Sequence, residues 1–387
     1  MGQTSKYSHI IDFIKTLFPG QDFIPLHEPR FIGNEKKYVA DAIDSTFVSS
    51  VGAYVNRFEE MMQDLTGAKY AVATVNGTAA LHMALLVAGV KRGDEVLSQD
   101  LTFIATANAI SYIGAHPVFL DIDRRTLGLS ADKLEAFLQE YGQKRDEGTV
   151  NTSTGNRIAA CVPMHTYGFP CEIERIAAIC REWNIPLIED AAESLGSYYK
   201  GKHTGTSGLM GAFSFNGNKT VTCGGGGAIV TDNKELAKLA KHLTTQAKVP
   251  HAWEFNHDHI GYNYRMPNLN AALACAQLEQ LHAFVENKRG LAETYKRFFS
   301  EVENLTYCEE GPDAKANYWL NALLLDSKEE RDTFLTEANS NGVMSRPAWT
   351  LMHKLPMFQN CQHHDVSVSE WVEERLVNIP SSVRVKP

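Results

Sequence analysis

Residues suited to covalent or acid–base chemistry stand close together in the stretch GAFSFNGNKTVTCGGGGAIVTD, residues 211–232. Lys219 lies between an apolar run and four consecutive glycines, five residues after Ser214. A P-loop would need G-x-x-x-x-G-K-[ST], and the glycine spacing before Lys219 does not fit that pattern. A lysine beside a buried, phosphate-rich site can have a lowered pKa and form a Schiff base. Taken alone, Lys219 is more readily interpreted as a solvated loop lysine.

Three other features follow predicted strands. NGTAAL, residues 76–81, precedes a helix, so Thr78 and the free amides of the first turn can hold a phosphate; a simple helix cap is the alternative. Asp190 ends the apolar run IPLIE, and Glu193 follows one turn later. A buried carboxylate there is costly unless it meets a cation, although Asp190 can also be a capping residue. Phe103 can stack on a planar ring or lie in the core.

Together these features indicate one cofactor better than each does alone. A phosphate site, a buried carboxylate and a lysine are the three groups with which proteins hold pyridoxal phosphate. The phosphate fixes the position of the cofactor, the carboxylate keeps its ring nitrogen protonated, and the lysine forms the covalent link. We therefore expect a pyridoxal phosphate site and no metal site.

The elements that must position these residues alternate along the chain from about Ala68. Short apolar runs such as KYAVATV, DEVLSQ and IPLIED are typical of buried strands, and the segments between them have helical periodicity. This alternation predicts an α/β fold with a mixed, mainly parallel sheet covered by helices. In such sheets ligands bind at the carboxyl ends of the strands, where the candidate residues lie.

Domain organisation is predicted from the change in pattern after Pro267. We expect an N-terminal arm and a large cofactor-binding domain in residues 1–265, and a smaller α+β domain in residues 266–387. One long helical pattern runs from Asn268 to about Val302. The polar stretch 142–156 is predicted to be a surface loop.

Bulk composition excludes several classes of partner. The 387 residues have a net charge of -9, which argues against nucleic acid and anionic membranes. Seven cysteines without a C-x-x-C pattern predict reduced thiols in a cytoplasmic protein. The N-terminal segment MGQTSKYSHI lacks an apolar signal core, and no apolar run is long enough to span a bilayer.

Several motifs together resemble one family. They are VSSVGAYVNRFE, VNGTAALHMAL, GDEVLSQDLTFIATANAI, MHTYG, IEDAAESLGS, FSFNGNKTVTCGGGGAIVTD and GYNYRMPNLNAAL. In this order they resemble the DegT/DnrJ/EryC1/StrS nucleotide-sugar aminotransferases, from about Pro25 to Val383. The resemblance implies the aspartate-aminotransferase-like fold (fold type I) of pyridoxal phosphate enzymes. Within the family, the chain is most similar to the branch that aminates UDP-linked 4-keto-6-deoxy-N-acetyl sugars for legionaminic acid and bacillosamine.

The resemblance implies a role for each matching position. Lys219 matches the lysine that links the cofactor and moves the proton, Asp190 the partner of the ring nitrogen, and Glu193 the residue at the ring hydroxyl. The remaining cofactor contacts that it implies are Gly77, Thr78, the Ala79 amide and Ser214 around the phosphate, Phe103 on the ring face, and Asn263 from the neighbouring subunit of a homodimer. The sugar-side positions that it implies are His165, Asn216, Tyr318 and His353.

Asn216 departs from the family pattern. Many relatives have histidine three residues before the lysine, so we expect this position to change the sugar pocket rather than the lysine chemistry. The retained Lys219 argues against the family's dehydratases, in which the lysine is replaced. Residues 216–218 are predicted to form the turn that aims Lys219, and Gly224 to Gly227 to let the backbone pass closely beneath the site, with a flexible loop as the alternative.

The resulting hypothesis is an aminotransferase that moves the amino group of L-glutamate to a nucleotide-linked keto-sugar in bacterial surface-sugar biosynthesis. The expected position is C4 of a UDP-linked 4-keto-6-deoxy-N-acetylhexosamine. Amination at C3 of a dTDP-sugar, or of an oxidised eight-carbon sugar acid, stays open. A non-catalytic pyridoxal phosphate sensor would need a further domain or a basic segment. A dinucleotide oxidoreductase would need a G-x-G-x-x-G turn that VNGTAAL does not supply.

Overall fold

A computed structural model describes residues 6–384 of the chain; residues 1–5, in the segment expected to lack a signal core, lie outside the described residues. The helices are α1 (Ser8–Leu17), α2 (Glu35–Asp44), α3 (Ala53–Thr66), α4 (Gly77–Val87), α5 (Ile104–Ile113), α6 (Ala131–Tyr141), α7 (Ile173–Glu182), α8 (Lys234–Thr244), α9 (Asn268–Leu278), α10 (Leu281–Phe299), α11 (Lys328–Ser340) and α12 (Ser367–Glu373). The strands are β1 (Tyr70–Thr74), β2 (Glu95–Gln99), β3 (His116–Leu120), β4 (Gly142–Arg145), β5 (Gly148–Asn151), β6 (Arg157–Val162), β7 (Ile188–Asp190), β8 (Tyr198–Tyr199), β9 (Lys202–His203), β10 (Met210–Ser214), β11 (Gly227–Thr231), β12 (Leu305–Tyr307), β13 (Ala314–Lys315), β14 (Asn321–Leu325), β15 (Arg346–Pro347), β16 (His363–His364) and β17 (Leu376–Ile379).

The central sheet is mixed and mainly parallel. Strands β16, β3, β2 and β6 lie side by side and are parallel. Parallel bridges from Cys161 to Leu187 and from Met164 to Asp190 join the end of β6 to β7. Beyond β7 the order continues with β10, β11 and β1. Because β10 and β1 are both antiparallel to β11, β1 runs in the same direction as β7 and β10. The carboxyl ends of β1, β7 and β10 therefore meet at one edge of the sheet.

Both faces of this sheet are buried, as the continuous apolar runs predict. Val72, Ala212 and Ile229 pack in the same cluster as residues of α4 and α8. The neighbouring positions Phe213 and Val230 point to the other face and pack with α3 and α9. This alternation follows from the two-residue period of a strand. The helices on both faces confirm the predicted α/β architecture.

Two predicted elements differ from the structure. Residues 142–156 were expected to be a surface loop, but β4 and β5 form a hairpin within them that adds to the edge of β6. A hairpin at the edge of the sheet can consist largely of polar residues, because one of its faces is solvated. The long helical pattern after Pro267 is divided at Glu279 into α9 and α10. Glu279 binds Arg57 at 2.6 Å and Asn34 at 2.8 Å, so this junction is held against the N-terminal helices.

The C-terminal region contains an antiparallel sheet in the order β12-β14-β17-β15. Its buried strands share a core with α11 and with the second half of α10. Helix α1 packs on the same core, where Phe13 stacks on Phe298 with ring centroids 3.7 Å apart. The part of the chain after α11 contributes two strands of this sheet, β15 and β17, and helix α12. The domain limits at residues 265 and 266 stay a prediction.

None of the helices within residues 6–384 combines the length and apolar character that crossing a bilayer would require. All seven cysteines lie within these residues, and each is a free thiol.

Lys288 is a fully buried lysine in the middle of α10. Its Nζ donates hydrogen bonds to the carbonyl oxygens of Trp319, at 3.2 Å, and Ser381. Burial lowers the pKa of Lys288 to about 7. The lysine therefore connects α10 to the segment that enters β14.

Replacing Lys288 with methionine should change how stability depends on pH. Between about pH 7 and the ordinary lysine value of 10.5, the unfolded chain binds the proton that the folded chain has lost. The contribution of Lys288 to folding therefore becomes more favourable as pH rises through this window. Urea unfolding should show wild type gaining stability relative to Lys288→Met, by about 1.4 kcal/mol for each unit of pKa shift. Lys238→Met, at an exposed position, is the control; curves that run parallel for wild type and Lys288→Met would contradict the prediction.

Candidate active site

A cavity of about 370 Å³ opens where the carboxyl ends of β1, β7 and β10 meet. Its size is within the range of small-molecule sites. Eight of the residues selected from sequence line it, namely Gly77, Thr78, Phe103, Asp190, Glu193, Ser214, Asn216 and Lys219. The parallel arrangement of the strands thus brings together residues that are more than a hundred positions apart.

One end of the cavity is the N-terminus of α4. Asn76 caps the helix by accepting a hydrogen bond from the Ala79 amide at 2.8 Å. The first backbone bond of the helix runs from Ala80 N to Asn76 O. The amides of Gly77 and Thr78 precede that bond, and the helix terminus favours an anion at this point. Such an end is suited to a phosphate group.

Two features refine the predicted phosphate cradle. The Ala79 amide, expected to contact phosphate, is already used by Asn76, and Ala79 does not line the cavity. Gly77 has a steric reason to be glycine, because a Cβ there would lie 2.7 Å from Cβ of Ser214. Gly227 likewise lies against the Asn76 carbonyl with no space for a side chain. The glycines therefore allow β10 and β11 to approach the start of α4.

Asp190 lies at the end of β7 with 3% of its surface exposed. Its Oδ2 accepts a hydrogen bond from Thr106 Oγ1 at 2.7 Å, and its Oδ1 accepts one from the Ala192 amide at 3.1 Å. Burial raises the pKa of Asp190, and these two hydrogen bonds oppose the rise. A positively charged group in the cavity would stabilise this carboxylate.

Lys219 points its amine into the cavity. Nζ lies 3.3 Å from Glu193 Oε1 and 4.1 Å from the centroid of the Trp319 ring. Glu193 also accepts a hydrogen bond from the Tyr167 amide at 2.9 Å, and burial raises its pKa to about 7. Lys219 N bonds to Asn216 O at 3.0 Å, which closes the predicted turn. The lysine is thus held in a poorly solvated position rather than on a solvated loop.

Aromatic rings form the remaining walls. Phe103 is 45% exposed and lines the cavity, so it is not a core residue. Trp349 meets Phe103 edge to face at 5.9 Å, and the Trp319 indole N–H donates to Asn218 O at 2.7 Å. The sequence reasoning missed both tryptophans. In place of Trp319 its neighbour Tyr318 was selected, because the resemblance gave positions but not the direction of each side chain.

Three of the residues predicted to contact the sugar lie outside this cavity. His165 is fully buried, with Nε2 3.0 Å from Glu189 and Nδ1 accepting from the Cys171 amide at 3.1 Å. Tyr318 packs its ring on Phe169, and its hydroxyl accepts a hydrogen bond from the Glu310 amide. His353 Nδ1 lies 2.5 Å from Asp100 Oδ2. None of the three lines the cavity, and a contact between them and the sugar stays a prediction.

Asn263 lies outside this cavity in its own chain. It is exposed, and its backbone pairs with that of Thr245 in an isolated antiparallel bridge. The proposed contact with a neighbouring subunit therefore needs a second copy of the chain.

The donor set fits pyridoxal phosphate. The helix N-terminus and Ser214 suit its phosphate, Asp190 its ring nitrogen and Lys219 its aldehyde, while Phe103 offers an aromatic surface for the ring.

Comparison with known proteins agrees with this geometry. The model of the DegT/DnrJ/EryC1/StrS aminotransferase family matches residues 29–387. GDP-perosamine synthase of Escherichia coli O157:H7 is 38% identical over 360 residues, which cover 93% of each chain. GDP-perosamine synthase of Vibrio cholerae is 35% identical over 361 residues, covering 92% of this chain and 94% of the relative.

Among solved structures, the aminotransferase TlmJ from Streptoalloteichus hindustanus superposes with a TM-score of 0.84 and 26% identity, over 93% of each chain. This match confirms the predicted aspartate-aminotransferase-like fold. The chain belongs to the DegT/DnrJ/EryC1/StrS aminotransferase family and is a pyridoxal-phosphate-dependent sugar aminotransferase.

Proposed function

We propose that the protein transfers the amino group of L-glutamate to C4 of a UDP-linked 4-keto-6-deoxy-N-acetylhexosamine for bacterial surface-sugar biosynthesis. The observation that supports transfer most directly is the amine of Lys219 inside the cavity, 3.3 Å from Glu193. The choice of sugar rests on the motifs that the chain shares with that branch of the family.

In this proposal each residue of the cavity has a separate role. Bound pyridoxal phosphate stores the amino group and withdraws electrons from the carbon that loses its proton. Asp190, buried at the base of the cavity, keeps a positive charge on the ring nitrogen. Lys219 takes and returns the proton at the reacting carbon. Glu193, whose pKa burial raises to about 7, lies 3.3 Å from the Lys219 amine and helps to hold it in place. The Trp319 ring covers the amine and limits its access to water.

A second candidate is the reaction named for the E. coli relative, GDP-perosamine synthesis, favoured by the 38% identity over 93% of the chain. A panel of UDP-, GDP- and dTDP-linked keto-sugars, with glutamate as donor, distinguishes the candidates by mass spectrometry of the aminated product. The same panel tests C3 amination of a dTDP-sugar. Adding an oxidised eight-carbon sugar acid to the panel tests the remaining alternative substrate.

We further propose a cytoplasmic homodimer with shared active sites. The seven free thiols support a reducing compartment. Exposed apolar side chains at Phe47, Val51, Trp253 and Ile260 support burial against a second copy.

Lys219 should hold the cofactor covalently. Borohydride makes an imine link permanent, so peptide mapping of the reduced protein should find the label on the peptide containing Lys219. Lys219→Ala should lose the label, whereas Lys288→Met, which removes a buried lysine outside the cavity, should retain it. A label on another lysine would show that the assignment is wrong.

Gly77→Ala should weaken cofactor binding, because the new Cβ would meet Cβ of Ser214 at 2.7 Å and force α4 away from β10. We expect the Kd for pyridoxal phosphate, measured by fluorescence titration, to rise about tenfold, equivalent to roughly 1.4 kcal/mol. Gly217→Ala is the matched control, since a Cβ there has no atom within 4 Å. Equal affinities in the two variants would count against the steric role of Gly77.

Mixed dimers test whether Asn263 serves the neighbouring subunit. Asn263→Asp places a negative charge beside the phosphate, so both it and Lys219→Ala should be inactive alone. After the two variants are unfolded, mixed and refolded, half of the dimers are mixed, and each mixed dimer has one intact site. Roughly a quarter of wild-type activity should return if pairing is random.

Restoration requires that Asn263→Asp alone is inactive and still dimerises, which is checked first by size-exclusion chromatography. If Asn263 acts within its own chain, every site in the mixture carries a lesion and no activity returns.

A further inference from the structure

A second chamber adjoins the cofactor cavity. It has a volume of about 500 Å³ and shares the walls Asn218, Trp319 and Trp349 with that cavity. Its other walls come from elements remote in sequence, including His27 near the N-terminus, Tyr167 after β6 and Asn378 on β17. The chamber is therefore adjacent to the cavity that holds the Lys219 amine.

Three residues that line the chamber have buried polar atoms without hydrogen-bond partners. Among the residues that the structure describes, both ring nitrogens of His27, the hydroxyl of Tyr167 and Oδ1 of Asn378 are in this state. Tyr167 is fully buried and Asn378 is 3% exposed. Burial raises the pKa of the Tyr167 hydroxyl, and a contact with the Asn378 side chain opposes that rise, although the contact lacks the geometry of a normal hydrogen bond. Unpaired buried polar groups are costly, so such a concentration points to a ligand that pairs with them.

The hydrogen-bonding chemistry of these groups limits which kinds of ligand can bind. Asn378 Oδ1 can only accept a hydrogen bond, and the Tyr167 hydroxyl can donate one. His27 lies close to Lys288, and both burial and that lysine lower the pKa of its imidazole, so the neutral ring offers one donor and one acceptor. The Tyr167 and Trp349 rings lie 4.9 Å apart and form an apolar wall beside these polar atoms.

An acylamino group matches this set. Its N–H can donate to Asn378, its carbonyl can accept from Tyr167 or His27, and its methyl group can lie against Trp349. A hydroxyl offers a single oxygen and no apolar part, so it would leave more of these atoms unpaired. We propose that the second chamber binds the acylamino substituent of the sugar and that Tyr167, Asn378 and His27 make the enzyme select acylamino sugars over hydroxyl sugars. The inference rests on the proposed transfer to a nucleotide-linked keto-sugar.

Selectivity in matched substrates tests the proposal. The two probes are UDP-linked 4-keto-6-deoxyglucose and its 2-acetamido counterpart, which share nucleotide and keto position. Wild type should have the higher kcat/KM for the acetamido sugar. Tyr167→Phe retains the ring and the backbone amide but removes the hydroxyl, and it should reduce the ratio of the two kcat/KM values about tenfold, the effect of losing one buried hydrogen bond.

Tyr295→Phe is the matched control. Tyr295 is also fully buried, but its hydroxyl already donates to the Pro380 carbonyl at 2.9 Å. Tyr295→Phe should lower the Tm of the free protein and leave the selectivity ratio unchanged. Tyr167→Phe should keep or raise the Tm, because it removes a hydroxyl that has no partner in the free protein. A fall in Tm together with an unchanged ratio in Tyr167→Phe would show that the hydroxyl is only structural, and would overturn the proposal.

His27→Leu provides a second, independent variant outside the cofactor cavity. It should reduce the same selectivity ratio while glutamate still removes the cofactor's visible absorbance at the wild-type rate. If wild type prefers the hydroxyl sugar, or if neither Tyr167→Phe nor His27→Leu changes the ratio, the chamber does not select an acylamino group. Failure of glutamate to change the absorbance of wild type would instead contradict the proposed function, so the two failures are distinguishable.

Discussion

The burial of two carboxylates at the end of β7 is the constraint on which the site depends. Asp190 and Glu193 are each 3% exposed, and removing such groups from water is expensive unless cations and hydrogen bonds replace the solvent. Thr106 and the Ala192 amide satisfy part of this need at Asp190, and Lys219 and the Tyr167 amide do so at Glu193. Keeping these carboxylates inside the cavity destabilises the folded chain. A positively charged cofactor ring beside them reduces that destabilisation.

The surrounding architecture makes that arrangement possible. Parallel strands place Asp190 and Ser214 at one edge of the sheet, and the antiparallel pairing through β11 places the start of α4 beside them. Gly77 and Gly227 then permit contact distances that a side chain would prevent. Below the site, Glu189 accepts backbone hydrogen bonds from Gly205 and Gly208, each at 2.8 Å, and meets His165 at 3.0 Å. This buried network supports the strand whose last residue is Asp190.

Sequence reasoning found the sheet and much of the cavity because both depend on local pattern. Lys219, Asp190 and Thr78 each follow a predicted strand, and the ends of parallel strands meet, so their convergence could be expected without coordinates. The side-chain directions of His165, Tyr318 and His353 could not be predicted in this way. Contacts with residues that are distant in sequence, such as Glu310 and Asp100, decide where those rings point. The hairpin of β4 and β5 was missed because its exposed face is polar and resembles a loop. Trp319 and Trp349 gave no local signal, because only tertiary packing brings them to the cavity.

Trp319 forms a wall of both chambers, binds the turn that positions Lys219, and has its carbonyl held by Lys288. One side chain therefore borders both the Lys219 amine and the adjoining chamber of about 500 Å³. During divergence, a substitution at Trp319 would alter catalysis and substrate preference at once, which leaves little freedom for gradual change. Residues that border the second chamber alone, such as Met344 and Ala348, can change without altering the surroundings of Lys219. Paralogues with new sugar preferences should therefore differ first at these outer positions, with the tryptophan retained.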